Sequence, residues 1–280
     1  MINAFTCDVE DYFQVESFKD VIPMTKWDDY PPRVEANTDK VLSILHEKKI
    51  KGTFFVLGWI AQRFPSLIHR IADEGHEVAS HGSSHAMVTQ QTQNDFREDI
   101  RRSKKVIEDI TGEEVLGYRA PSFSITKDTL WALGILKEEG FIYDSSIFPI
   151  KHDRYGIPDA VRFLHSIDTP NGPIWEFPPS TVKFFFGNLP IAGGGYLRAF
   201  PMSLLKWGLR KLNKENQPSL IYMHPWELDV NQPRIRTRRL SMFRHYLNLH
   251  KTEKKLIQLF NAFEYGRMKD IILERIHESK

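Results

Sequence analysis

One cysteine, Cys7, stands among 280 residues, so no disulfide can form within the chain, a usage that fits a reducing compartment. Neither charge sign is in excess. The 38 Lys and Arg oppose 36 Asp and Glu for a formal net charge of +2, which gives no global attraction to nucleic acid or to an anionic membrane. No apolar run approaches the roughly 20 residues that span a bilayer. The opening MINAFTCDVEDYF lacks the basic n-region, apolar h-region and small-residue cleavage site of a secretory signal, and a cytoplasmic location is the expectation. Internal repeats, low-complexity tracts and linker-like composition shifts are missing too. The chain therefore reads as one domain over 1–280 with a sizeable core.

What is present is a strand, helix, glycine rhythm. Ile2–Asp8 reads as a buried strand, and the spacing of Val41, Leu42 and Leu45 predicts a helix over Asn37–Lys48 that Gly52 follows. Trp59–Asp73, Gln93–Asp109 and Thr126–Glu138 read as further helices, each followed by a glycine (Gly75, Gly112, Gly140) and then by a strand-like run. Strands alternating with helices imply a mostly parallel sheet, open or closed into a barrel. The rhythm breaks at residues 148–201, where prolines, aromatics and a GGG at Gly193–Gly195 suggest short strands and loops forming an elaborated rim. Met202–Leu212 predicts a helix and SLIYMHPWE a late strand. Phe243–Phe263 predicts a terminal helix within a helical region over 242–280.

Ligands of parallel α/β folds gather at the carboxyl ends of the strands. The ionisable residues there are Asp8, Glu10 and Asp11, then His81 and His85, then Arg119, Asp144 and His224. His81 and His85, four apart after a strand, would share a target if one helical turn joined them. Gly82 stands where an HExxH helix has its general base, so a carboxylate must come from elsewhere. In an extended DVED segment Asp8 and Glu10 share a face. Glu10 can complete a two-histidine, one-carboxylate metal site, with Asp11 as the fallback, and Asp8 can accept a proton beside it.

TCDVED, SHGSSH, YRAPS and YMHPWE, in this order from Thr6 onward, resemble the NodB-type polysaccharide deacetylases, carbohydrate esterase family four. HPWE and GGGYLR resemble the branch associated with exopolysaccharide and exosortase gene clusters. The resemblance implies an α/β fold, a distorted seven-stranded (β/α) barrel with an irregular strand and loop insertion. It also implies a hydrolase that removes N-acetyl groups from an amino sugar or saccharide, with an acetylated saccharide or carrier-linked amino sugar as partner. The cofactor implied is a divalent metal, zinc first, with cobalt, nickel or iron as alternatives. By the same resemblance Asp8 matches the catalytic base, His81 and His85 the metal histidines, and Arg119 the arginine that tethers the base. His224 matches the histidine that protonates the leaving amine, and the Ser122 amide faces the oxyanion. Val9 replaces the second of two adjacent aspartates, which leaves the carboxylate ligand to Glu10. Asp144 stands as orienter of His224, without the tryptophan that usually follows; Trp175 or Trp226 is the candidate wall.

Two other functions fit less of the pattern: an amidase acting on a small amide, and a non-catalytic saccharide binder, which would not need both histidines and the base. The remaining histidines read as packing or surface residues, with His245 open, and Phe184–Phe186 as packing. The stretch PRIRTRRLSMFRHY reads first as a solvated loop and helix start whose arginines pair with acids. Its functional alternative is a patch that holds a diphosphate.

Overall fold

The computed structural model describes residues 1–278. β1 (Ile2–Val9) is buried from Asn3 onward, and its alternation sets up the whole site. Phe5, Cys7 and Val9 point into the layer between sheet and helices, while Ala4 belongs to a second apolar cluster on the opposite, inner face. Thr6, Asp8 and Glu10 follow Ala4 at the two-residue spacing of a strand, and so climb the inner face toward its carboxyl end.

After β1 come α1 (Val34–Lys48), β2 (Thr53–Val56), α2 (Gly58–Arg63), α3 (Pro65–Asp73) and β3 (Glu77–Ser80). α4 (Gln93–Thr111), β4 (Gly117–Tyr118), α5 (Trp131–Glu138), β5 (Tyr143–Asp144), β6 (His165–Ile167) and β7 (Ile174–Glu176) continue the rhythm. β8 (Thr181–Phe184) and β9 (Gly187–Pro190) form a separate hairpin, then α6 (Gly195–Ala199), α7 (Met202–Lys214) and β10 (Leu220–Met223) return the chain to β1. α8 (Arg239–Tyr246), α9 (Leu249–Phe260), β11 (Glu264–Gly266) and α10 (Met268–Glu278) close the described chain. The main sheet runs β10-β1-β2-β3-β4-β5-β7-β6, with β11 added to the start of β1. All its pairings are parallel except β6 with β7. It is the curled parallel sheet of the expected NodB-type barrel, and it stays open between β10 and β6. Among the described residues no helix is long and apolar enough to cross a membrane.

Several boundaries differ from the sequence reading for local reasons. The helix expected over Trp59–Asp73 is two, because Pro65 lacks the N–H that would continue the first. α1 ends on Lys49 at φ 55°, not on a glycine. Thr126–Lys127 begins a short 3₁₀ turn, and α5 starts only at Trp131. The terminal helix expected over Phe243–Phe263 is broken at Asn248, φ 52°, and the helical region over 242–280 is interrupted by β11, a strand too short to show a period. The last two residues of the expected 242–280 helical region lie outside the described residues.

The GGG segment is tied to the main sheet. Gly193 bridges to Tyr222, and a Cβ there would lie 1.9 Å from the Tyr222 carbonyl oxygen, so only glycine fits. Phe185 and Phe186, expected to pack, sit at the β8–β9 turn with 92% and 98% of their surface exposed.

Candidate active site

Inward-facing residues from four strands meet at the carboxyl end of the sheet. Asp8 comes from β1 and Glu10 follows it, His81 follows β3, Arg119 follows β4 and His224 follows β10. All five line one cleft or its floor.

Arg119 is fully buried beneath Asp8. Its Nη1 donates to Asp8 Oδ1 at 2.5 Å and to Thr6 Oγ1 at 2.9 Å, while Nη2 donates to Ser145 Oγ at 3.0 Å. The guanidinium also lies 4.1 Å over the Phe55 ring. Asp8 is thus fixed through one oxygen, and Oδ2 is left facing His224 Nε2 at 3.9 Å.

Glu10, His81 and His85 offer ligand atoms that all lie within 4.8 Å of one another. His81 Nδ1 sits 2.7 Å from the Arg119 carbonyl oxygen. That oxygen only accepts, so Nδ1 carries the hydrogen and Nε2 presents its lone pair to the cleft. Glu10 Oε2 is buried without a hydrogen bond of sound geometry, although His85 Nε2 stands 2.7 Å away. An orphaned carboxylate oxygen, a tautomer-fixed imidazole and a second imidazole fit a divalent cation that keeps positions for water and substrate. Burial alone would raise the Glu10 carboxyl, but the charges of His85 and His224 carry it down to about 2. Burial lowers His81 to about 4, which keeps it neutral and able to ligate at neutral pH.

The turn that brings the histidines together is not the helical turn expected. Residues 81–87 are irregular, and the rings lie 5.5 Å apart at 68°. Asp99 holds this loop from α4, accepting from the backbone of Ser83 at 2.8 Å and of Ser84 at 3.2 Å. Gly82 turns the loop at φ 74°, where a Cβ would lie 2.6 Å from Asp99 Oδ2. His85 (φ 54°) and the successive Ser122 (φ 55°) and Phe123 (φ 53°) take left-handed conformations beside the cleft, each costing about 1–3 kcal/mol for a non-glycine residue. Ser122 lines the cleft.

Asp11 does not join the trio. Its carboxylate accepts from the backbone of Tyr12 at 2.8 Å, Arg33 at 2.6 Å and Val34 at 2.9 Å, and so closes the start of α1. Burial raises it to about 6 against these bonds.

Asp144 does not orient His224 either, and strand alternation explains why. Tyr143 takes the inner face of β5 and donates to Glu77 at 2.8 Å, so Asp144 points to the other face, opposite Glu176 of β7. The partner of His224 is Glu227, whose Oε1 lies 2.9 Å from Nδ1 and accepts from the His224 backbone at 3.0 Å. Arg198 of α6, itself 3% exposed, donates through Nε to the other Glu227 oxygen at 2.6 Å. HPWE carried a signal for this, because a proline-initiated turn with Glu at its third position is a capping box. Trp226 supplies the wall, stacking at 19° on His224 and donating to Glu10 Oε1 at 3.2 Å. Burial works against a charged His224, but Glu10, Glu227 and Asp8 together raise it to about 9. His245 is a packed residue between Trp226 and Phe18, lowered by burial to about 3.

Asp144 and Glu176 form a buried pair of carboxyls. Burial raises both, and the Asp144 charge raises Glu176 further. Such a pair holds a proton where the unfolded chain has released it, so stability falls as pH rises from the ordinary carboxyl range through the elevated one. Thermal denaturation from about pH 5 to 8 is expected to show this fall, and Glu176→Gln to flatten it. An unchanged slope in the variant contradicts the shared proton.

Residues 18–138 match the family described as polysaccharide deacetylase, and residues 145–273 match a domain of unknown function (DUF3473). Residues 18–138 thus carry a polysaccharide deacetylase domain. The chain is 32% identical over 96 residues to a peptidoglycan-N-acetylglucosamine deacetylase of Bacillus cereus, covering 34% of this chain and 35% of that protein. It is 27% identical over 154 residues to the peptidoglycan-N-acetylmuramic acid deacetylase PdaA of Bacillus subtilis, covering 48% and 56%. The matches thus span between about a third and just over half of these curated relatives. A structure from Mycobacterium smegmatis described as a polysaccharide deacetylase superposes with a TM-score of 0.63 at 21% identity, over 99% of this chain and 90% of that one. Puue allantoinase gives 0.61 at 16% over 96% and 87%. At these identities the likeness establishes the fold.

Proposed function

We propose that this protein is a metal-dependent N-deacetylase that hydrolyses the acetamide of an N-acetylated amino sugar or saccharide in exopolysaccharide synthesis. The observation that carries the reading is that Asp8 and His224 stand 3.9 Å apart beside the Glu10, His81 and His85 trio, each secured by its own buried partner. A divalent cation held by that trio, zinc being our choice, would polarise the amide carbonyl and acidify a water.

The chain's own groups supply the proton traffic. Asp8 Oδ2, the oxygen Arg119 leaves free, takes a proton from the attacking water. The Ser122 amide is assigned to the oxyanion that develops from the acetyl carbonyl oxygen. His224, charged at neutral pH by its raised value of about 9, gives its Nε2 proton to the nitrogen as the C–N bond breaks. Acetate and a free amine result. Relatives named as peptidoglycan deacetylases support the saccharide class, and HPWE with GGGYLR supports the exopolysaccharide setting. The open mouth of the cleft favours a saccharide over a small amide.

The test is incubation of the zinc-loaded protein with N-acetylglucosamine oligosaccharides, with acetate and primary amine both quantified. Equal release of the two, abolished by a chelator and restored by zinc, is expected. No release from these oligosaccharides, with acetate released instead from an O-acetylated saccharide, would move the activity to O-acetyl esters.

A further inference from the structure

We propose that Arg154 and Arg244 form an anion subsite at the cleft mouth, one that takes the diphosphate of a carrier-linked N-acetyl sugar. The proposal rests on the deacetylase reading and narrows its substrate. Arg154 belongs to the loop after β5 and Arg244 to α8, yet both line the same cleft as the metal trio. Some other arginines of this protein are held by acids in two-pronged bonds, as Arg63 is by Asp28 and Arg267 by Asp270; the two at the cleft mouth are not. The Arg154 guanidinium makes no hydrogen bond or ion pair among the described residues, and Arg244 has only Asp153 at 3.8 Å, with 44% and 63% of the two side chains exposed, a pair that contributes little.

Two uncommitted guanidiniums at a cleft whose floor is a hydrolytic site call for an anion on the substrate. The acids facing them are Glu16, on the cleft wall, and Asp153. Two acids against two arginines leave the mouth without a net positive surplus of its own, so recognition depends on geometry: planar forks match phosphate oxygens two at a time. Two forks fit two phosphates. Tyr155 lines the same cleft, stacked on His152 at 3.8 Å and on Phe148 at 15°. A sugar ring whose acetamide reaches the trio would extend across Tyr155 and direct its anomeric substituent toward the arginines. Nucleoside and polyprenyl carriers share that diphosphate chemistry.

Calorimetric titration of the zinc-loaded full chain with uridine diphosphate and with farnesyl diphosphate tests the subsite without turnover. In R154A/R244A at least one of the two is expected to bind about tenfold more weakly, an effect that shrinks with added salt. The probe with the larger loss identifies the carrier. Any binding of phosphate at the trio is common to both proteins and cancels in the comparison. In kinetics, kcat/KM of the variant is expected to fall at least about fivefold more for diphosphate-linked N-acetylglucosamine than for a neutral oligosaccharide, with R154K/R244K between the two proteins. Equal affinities of both proteins for both probes overturn the subsite, as do equal losses on the two substrates. A wild-type protein that binds diphosphate but releases no acetate counts against the deacetylase reading alone.

Discussion

Asp8→Asn is expected to lower kcat by about 10²–10⁴-fold, the contribution typical of a positioned general base. Asparagine preserves the shape and can still accept from Arg119, but it cannot take a proton from water. The loss should fall on kcat with little change in KM, because Asp8 acts on the reacting water and not on the remote parts of the substrate. Arg119 becomes an uncompensated buried cation in this variant, so its stability is expected to drop by about 3–5 kcal/mol. Denaturant unfolding and metal content must therefore be measured beside the rate. A folded, metal-loaded Asp8→Asn protein within tenfold of wild-type kcat removes Asp8 from the role.

Glu227→Gln is expected to move the alkaline limit of activity. The Glu227 carboxylate is bonded to His224 Nδ1 and helps raise that imidazole to about 9. A group with a raised value carries its proton below that value and loses it as pH rises through it, so activity needing the imidazolium fails on the alkaline side. Removing one opposite charge within hydrogen-bond distance should lower the limit by about 1–3 pH units. At neutral pH the drop would be modest, and above pH 8 steep. The mutation also leaves the buried Arg198 without its anion, and a purely structural role for Glu227 would lower activity equally at every pH. The displacement of the pH profile separates the two.

Much of this site was legible because strands repeat every two residues. Asp8 and Glu10 share the inner face with Ala4 and Thr6, and the same alternation carries His81, Arg119 and His224 to the carboxyl ends of their strands. Asp144 misled for the same reason, since β5 is two residues long and a strand that short gives no sequence sign of which face a residue takes. The histidine pair was found by spacing, though the loop that joins it is shaped by Asp99 and by left-handed backbone at Gly82 and His85. Neither feature has a period to read. Arg198 and Glu227 lie 29 residues apart in the chain and meet through the packing of α6 against the turn after β10. Only the tertiary structure could pair them.

The central claim is that Glu10, His81 and His85 trap one divalent cation, and metal binding measures it directly. After equilibrium dialysis against zinc, elemental analysis is predicted to find about one ion per wild-type chain. Glu10→Gln and His81→Ala proteins with native circular dichroism are predicted to bind at least about 10²-fold more weakly. A wild-type chain that retains no zinc, or folded variants that hold it equally well, would contradict the account.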